Sequence, residues 1–328
     1  MRWGILGLGK IAGKFAEDLR LVDGAELVAV ASRSVKKAEE FGARFGATHR
    51  FGTYEALAEC PDVDVVYVAS PHSEHHAHTL LCLNAGKAVL CEKAFAFNAR
   101  QAAEMGAVAR ERNLFLMEAL WTRFLPATLK TLELVQAEAI GAPVHVVADF
   151  GFVAPFDPAS RLYNPALAGG SLLDIGLYPL FISTLLLGDF PDEIRATGTL
   201  APTGVDLNCA MALRFPSGAT ASLASTLAAR TETTCTLYGT KGYLRMHARF
   251  HEATGLTLVR EGRDPEIIET DREGAGYCYE ARHVEECLRR GLTESPLLPL
   301  SFSLRQMECL DEIRRQLGVR YPADDESD

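Results

Sequence analysis

Apolar and polar positions follow two different rhythms along this chain. Residues 3–6 read as the end of a short buried strand, and behind them Ile11, Phe15 and Leu19 recur at helical spacing, with Ala12 and Ala16 as a small face for close packing. Glu26–Ala31 is a second strand-like run, residues 63–70 a third, 87–92 a fourth and 114–120 a fifth. Residues 74–85 and 99–112 have helical composition, and Gly86 and Asn113 stand where C-terminal caps belong. Strand and helix in alternation predict a parallel, doubly wound sheet over residues 1–120.

Past Trp121 the alternation stops. A helix over 127–136 leads to a strand over 144–152, then to a long loop rich in Pro and Asp, then to a helix around 172–187. Strand-like runs follow at 193–200, 207–215, 219–227, 231–238, 242–247 and 256–260, separated by Gly and Pro turns. Direct succession without intervening helices predicts antiparallel pairing. Helices over 277–290 and 303–317 finish the chain, so residues 121–328 are expected to form an α+β domain: a large, mainly antiparallel sheet with helices on one face. The other face is a candidate surface for a homodimer.

The 328 residues suffice for two domains with their own cores. A net charge of −10 gives no electrostatic footprint for nucleic acid or an anionic membrane. Eight cysteines occur without C-x-x-C pairs, several inside apolar runs, which suits reduced core residues of a cytoplasmic protein. The chain starts on a core strand, leaving no room for a signal peptide, and no apolar run is read as approaching a membrane span. Only the tail from Asp324 to Asp328 is expected to be disordered.

The chemistry starts at Gly7-Leu8-Gly9-Lys10-Ile11-Ala12, between the first strand and its helix. This is the G-x-G-x-x-G/A pattern of a Rossmann dinucleotide site: one glycine makes the turn, the next admits a pyrophosphate to backbone N–H groups, and Ala12 lets the helix lie close to the sheet. The second strand ends in Ser32-Arg33-Ser34, where an NAD-type site carries a carboxylate. A hydroxyl and a guanidinium there, with Lys36 and Lys37 nearby, favour the 2′-phosphate of NADP(H) over NAD(H).

Cys91-Glu92-Lys93 lies at the carboxyl end of the fourth strand, the edge where open α/β sheets bind ligands. Gly169-Gly170 open the helix that carries Asp174 and Tyr178, four residues apart and so on one face. An acid, a phenol and a lysine form a candidate proton relay, because an ammonium lowers a phenol from its usual value of about 10. Trp121 and Arg123, at the junction of the two domains, suit packing or a cofactor or substrate contact equally. Phe150 and, in the long loop, Arg161 and Tyr163 are further substrate candidates. His72, His75, His76 and His78 place 72/76 and 75/78 on different helix faces with no cysteine to complete a cluster, so no metal is expected.

The combination of Gly7-x-Gly9-x-x-Ala12, Ser70-Pro71-His72-Ser73-Glu74-His75, Gly86-Lys87 through Cys91-Glu92-Lys93, and Gly169-Gly170 through Asp174 and Tyr178 resembles the glucose–fructose oxidoreductase/inositol dehydrogenase (Gfo/Idh/MocA) family over nearly the whole chain. The stretch from Met117 to Phe124, Gly239-Thr240-Lys241-Gly242, Tyr279-Glu280-Ala281, His283 and Glu286-Cys287-Leu288 resemble its branch of diol and aldose dehydrogenases. The resemblance implies Tyr178 as general acid/base, Lys93 as its partner and a ribose contact, and Asp174 as the group orienting substrate. It also implies Ser70, Pro71, His72 and His75 as neighbours of the nicotinamide. Ala94 stands where the family motif has proline. The implied activity is NADP(H)-dependent oxidation of a sugar hemiacetal, vicinal diol or secondary alcohol. Keto-sugar reduction, inositol oxidation and a non-catalytic NADP-sensing regulator remain alternatives.

Overall fold

The computed structural model describes residues 1–324. By backbone proximity the chain divides into two units, Met1–Trp121 with Glu273–Leu304, and Thr122–Arg272 with Arg305–Asp328. Residues 273–304, expected from their position in sequence to belong with the second domain, are thus grouped with the first. The reason is side-chain chemistry at long range. The Asp18 carboxylate accepts the backbone N–H groups of Ala275 and Tyr277 (2.9 and 2.7 Å), and Trp3 Nε1 donates to Glu285 Oε1 at 3.0 Å.

The first unit holds strands β1 (Arg2–Leu6), β2 (Glu26–Ala31), β3 (His49–Phe51), β4 (Val65–Val68), β5 (Ala88–Glu92) and β6 (Leu116–Ala119). Helices α1 (Lys10–Leu19), α2 (Val35–Phe45), α3 (Tyr54–Ala58), α4 (His75–Asn84) and α5 (Ala99–Glu111) connect them. All strand pairs are parallel, in the order β3-β2-β1-β4-β5-β6. That order reverses direction between β1 and β4, the switch point at which doubly wound sheets open a crevice for ligands. Strands β4, β5 and β6 are buried along their whole length, which is why they read as continuous apolar runs rather than alternating ones. Ser34, Thr53 and Asn98 cap α2, α3 and α5 through their side-chain oxygens, each worth about 1 kcal/mol. Gly86 and Asn113 do follow the helix ends in the left-handed region. Strand β3, three residues long, has no counterpart among the expected strands.

The second unit starts with α6 (Pro126–Gln136) and β7 (Pro143–Gly151). Helix α7 (Leu177–Leu187) follows, preceded without a break by a π-helical turn over Leu172–Gly176. Strands β8 (Glu193–Leu200), β9 (Asp206–Arg214), β10 (Thr220–Thr226), β11 (Cys235–Gly239), β12 (Gly242–Met246), β13 (Gly255–Arg260) and β14 (Glu266–Glu269) complete a sheet ordered β14-β13-β12-β11-β7-β10-β9-β8. Every pair is antiparallel except β7 with β10, which is parallel. Cys209, Met211 and Leu213 point to the buried face and Ala210, Ala212 and Arg214 to the exposed one, the alternation of a half-covered sheet. Helix α7 packs on the buried face, and a Cβ at Gly176 would lie 2.7 Å from Ser225 Oγ on β10. Helix α8 (Tyr277–Arg289) belongs to the first unit, and α9 (Leu300–Leu317) starts there and continues in the second.

Two expectations are corrected. Among the described residues one helical run, Pro165–Leu187, is long and apolar enough to cross a membrane by length and composition. Its most apolar window is 89 % buried inside the protein, as a core helix would be. It exceeds the expected helix because a short 3-10 turn over Pro165–Leu167 precedes the π-helical turn and α7. In the tail, Asp324 is ordered: its carboxylate pairs with Arg314 at 2.7 Å and accepts the Tyr321 N–H at 2.9 Å. Residues 325–328 lie outside the described residues.

Candidate active site

At the β1–β4 switch point, Gly7 turns the chain with φ +90°, and a Cβ there would lie 2.8 Å from Ser70 N and 2.9 Å from Ala69 O. Only glycine allows that approach between the two loops. Gly9 is the N-cap of α1, no side chain caps the helix, and a Cβ on Gly9 would meet only open space. The backbone N–H groups at this helix start are therefore available to an anion. Leu8 and Ala12 are buried, Ile11 is half-buried and Lys10 is exposed. Ser32 Oγ accepts the Ser34 N–H, Arg33 and Lys37 are exposed, and no carboxylate ends β2. Burial holds His78 below its usual value, with a smaller contribution from the Arg33 cation. These residues fit a dinucleotide.

The 70–75 loop is tied to the end of β5 by one histidine. His75 is fully buried, with Nδ1 2.7 Å from Ala94 O and Nε2 2.9 Å from Ser70 O. Burial pushes it down to about 4, so at neutral pH the ring is uncharged and donates to one of the two carbonyls. His78 Nδ1 meets Ser70 Oγ at 2.9 Å and His76 meets Glu104 at 2.8 Å, so these histidines have protein partners. Pro71 is exposed and His72 half-buried. Another trio of metal-ligand types, His49, Cys60 and Asp62, lies with its donor atoms within 4.8 Å of one another. Asp62 already faces His49 and the Arg2 guanidinium, a cation that would oppose a metal.

Lys93 sits at the centre of the strand ends. Its charge is felt by His75, Glu92 and Glu118, and its N–H donates to Glu92 Oε2 at 3.2 Å. The Lys93–Ala94 peptide is cis. The Tyr67 hydroxyl donates to Glu92 Oε1, while the Tyr67 ring stacks on Phe15. Burial pushes Glu92 up, against the opposing pull of Tyr67 and Lys93. Glu118 is pushed up to about 7 by burial, and Glu280, whose two oxygens are buried without a hydrogen-bond partner, well above the carboxylate range. Trp121 is buried and stacked on Tyr277 at 4.6 Å between ring centres.

In the second unit Asp174 falls within the π-helical turn, a wide turn often found at functional positions. It thus departs from the regular α spacing expected from sequence, although Tyr178 still follows on the first turn of α7. Arg161 meets Asp174 with both arms of its fork, Nη1 to Oδ1 at 2.8 Å and Nη2 to Oδ2 at 3.4 Å. Burial lowers the Arg161 pKa, but the Asp174 carboxylate more than offsets this and raises it overall. Phe150 stacks on His251 with ring centres 4.3 Å apart, and both tilt against Tyr178 (5.8 and 5.3 Å). Thr122 Oγ1 fixes His251 through its carbonyl at 2.7 Å. Arg123 is buried, which lowers its pKa. Tyr163 is buried with its hydroxyl committed to Ala154 O at 2.9 Å.

The turn is anchored from behind. Asp206 Oδ2 accepts Ser171 Oγ (2.6 Å) and Leu172 N (2.7 Å), and a Cβ on Gly170 would strike Asp206 Oδ1. Sequence reasoning missed Tyr67, Glu118, Asp206, His251 and Glu280. A carboxylate inside an apolar strand is a signal for Glu118. His251, a single histidine beside Phe250, carries none.

Residues 1–120 match the family model described as oxidoreductase family, NAD-binding Rossmann fold, and residues 128–245 match the GFO/IDH/MocA C-terminal domain. The chain is 40 % identical to trans-1,2-dihydrobenzene-1,2-diol dehydrogenase of Sus scrofa and 38 % identical to that of Homo sapiens, each over 99 % of both chains. Among solved structures it is similar to aldose-aldose oxidoreductase from Caulobacter crescentus complexed with glycerol. That match has a TM-score of 0.89 and 28 % identity, covering 96 % of this chain and 97 % of the other. It is also similar to a 3-ketoreductase from Actinomadura kijaniata in complex with NADP and TDP-benzene, with a TM-score of 0.85, 28 % identity and coverage of 97 % and 98 %. The expected fold and family hold, and the chain belongs to the GFO/IDH/MocA family of oxidoreductases.

Proposed function

We propose that this oxidoreductase uses NADP(H) to oxidise a secondary alcohol of a vicinal diol, sugar hemiacetal or polyol, with Tyr178 as general acid/base assisted by Lys93. What carries the reading is the helix bearing Asp174 and Tyr178, in a chain 40 % identical over its length to a diol dehydrogenase. The cofactor would be held by the Gly7–Ala12 turn, by Ser32, Arg33 and Lys37 at its 2′-phosphate, and by the strand ends at Ser70, Pro71, His72, His75, Glu92 and Lys93. When bound, its nicotinamide supplies the hydride acceptor. Tyr178 Oη takes the substrate hydroxyl proton, Lys93 stabilises the phenolate, and Asp174 accepts a hydrogen bond from a substrate hydroxyl. Trp121, Arg123, Phe150, Arg161 and Tyr163 complete the proposed surroundings of cofactor and substrate. Reduction of a keto sugar is the same chemistry reversed.

Following nicotinamide absorbance with NADP+ against trans-dihydrodiols, aldoses and inositols tests the reading. Turnover of at least one class is expected, and none with any would refute it. The exposed sheet face, with Val147, Ala210, Ala212, Ser222 and Ala224, would form a homodimer contact. A monomer mass by light scattering would contradict this. Eight free, buried cysteines suit the reducing cytoplasm.

A further inference from the structure

Arg161 is a substrate candidate on sequence alone, and the geometry gives it a different task. We propose that Arg161 is a positioning residue that acts through Asp174, holding this acid as an oriented carboxylate for the substrate hydroxyl rather than binding substrate itself. The inference rests on the reading of Asp174 as a substrate-orienting group. Three observations carry it.

The first is the contact. A guanidinium and a carboxylate meeting through two roughly parallel bonds fix both the charge and the plane of the acid. A protonated or turned acid would lose one of the two bonds.

The second is burial. The Asp174 side chain is 7 % exposed and that of Arg161 56 % exposed. The acid is inside and its counter-charge arrives from the surface. Removing the guanidinium would take a bidentate counter-charge from a buried carboxylate, the costly half of such a pair. An acid that then took up a proton would offer a donor where the substrate hydroxyl needs an acceptor.

The third is that the loop carrying Arg161 is built rather than loose. Asp157 closes its first turn by accepting Ala159 N at 2.9 Å, and Tyr163 ties it to Ala154. Gly170 N donates to Leu162 O at 2.9 Å, and the Tyr321 hydroxyl donates to Gly169 O at 2.5 Å. Asp206 holds the other side of the glycine pair. These bonds fix Arg161 relative to the turn that bears Asp174, within one unit. A guanidinium spent on Asp174 also leaves a pair of zero net charge, which suits an uncharged hydroxyl substrate better than a carboxylate one.

The test is a double-mutant cycle on the intact enzyme with whichever substrate the wild type oxidises fastest. Arg161→Ala is expected to lower kcat/KM about 10- to 100-fold, as expected for loss of a charge-assisted contact. Asp174→Asn should lower it at least as far. The double variant should be no worse than Asp174→Asn, since the arginine then has nothing to orient. Arg161→Lys should recover part of the loss. Millimolar guanidinium should raise the rate of Arg161→Ala and leave Asp174→Asn unchanged, a response that a merely structural role would not give. The dissociation constant for NADP+ should stay the same throughout. Additive losses, no guanidinium rescue, or a near-wild-type Arg161→Ala would overturn the positioning role while leaving the proposed function intact. A wild type that oxidises no substrate would overturn both.

Discussion

In the first unit Glu92, Glu118 and Glu280 are buried at strand ends and on α8, held by a phenol, by a serine hydroxyl and a backbone amide, or without a hydrogen bond, and burial pushes each of them up. In the second unit Asp174 is buried to a similar degree but meets a guanidinium in a bidentate contact. Desolvation favours the neutral form of an acid, and only a fixed opposite charge reverses that preference. The unit that would bind a dinucleotide bearing several phosphates biases these three acids toward their neutral form, which lessens their repulsion. The unit that would present substrate keeps one acid as an acceptor. Asp206, buried without a cation and pushed up to about 6, shows that the second unit is not uniform.

The contrast can be broken by substitution. The largest expected difference is in turnover. Neutral isosteres should be tolerated in the first unit and not in the second: Glu280→Gln should leave kcat/KM within about threefold of wild type, whereas Asp174→Asn should cost at least tenfold, about 1.4 kcal/mol or more. Equal losses would erase the distinction. Next, Arg33→Ala should cut the preference for NADP+ over NAD+ by about 10- to 100-fold, as for loss of a charge-assisted phosphate contact. An unchanged preference would remove Arg33 from the cofactor site.

The remaining effects are on the pH dependence of stability. Glu118 is raised in the fold, so its contribution is fully present below its unfolded value of about 4.5 and lost as pH rises through about 7. Urea titrations of Glu118→Gln should lose less stability than wild type between those limits, by about 2–4 kcal/mol. His75 runs the other way. Lowered to about 4, it contributes above its unfolded value of about 6.5 and that contribution disappears as pH falls towards 4. His75→Gln should flatten this acid limb, and an unaltered limb would show that His75 is not buried uncharged.

The parts of the fold and site visible from sequence are those governed by short-range rules. The Gly7–Ala12 turn, the strand ends at Ser32 and Glu92, and the glycine and asparagine closing α4 and α5 follow from backbone stereochemistry and local periodicity. What was not visible depends on partners far away in the chain. Strands β3 and β14 are too short for a period to show, and the parallel pairing of β7 with β10 depends on how the chain returns between them. The assignment of residues 273–304 to the first unit follows from Asp18 and Trp3, more than 250 residues earlier. Asp174 and Tyr178 were readable as a pair. Neither the π-helical turn nor the arginine holding the acid has a sequence signature. His251 reaches Phe150 and Tyr178 only through folding of the 249–253 segment.

In the proposed reaction Tyr178 moves the substrate proton while the other groups hold and orient. Comparing Tyr178→Phe with wild type in the NADP+-coupled oxidation, alongside direct NADP+ binding, tests it most directly. The predicted result is a fall in kcat of about 10²–10⁴-fold with NADP+ affinity unchanged. A Tyr178→Phe enzyme that turns over within a few-fold of wild type would contradict it.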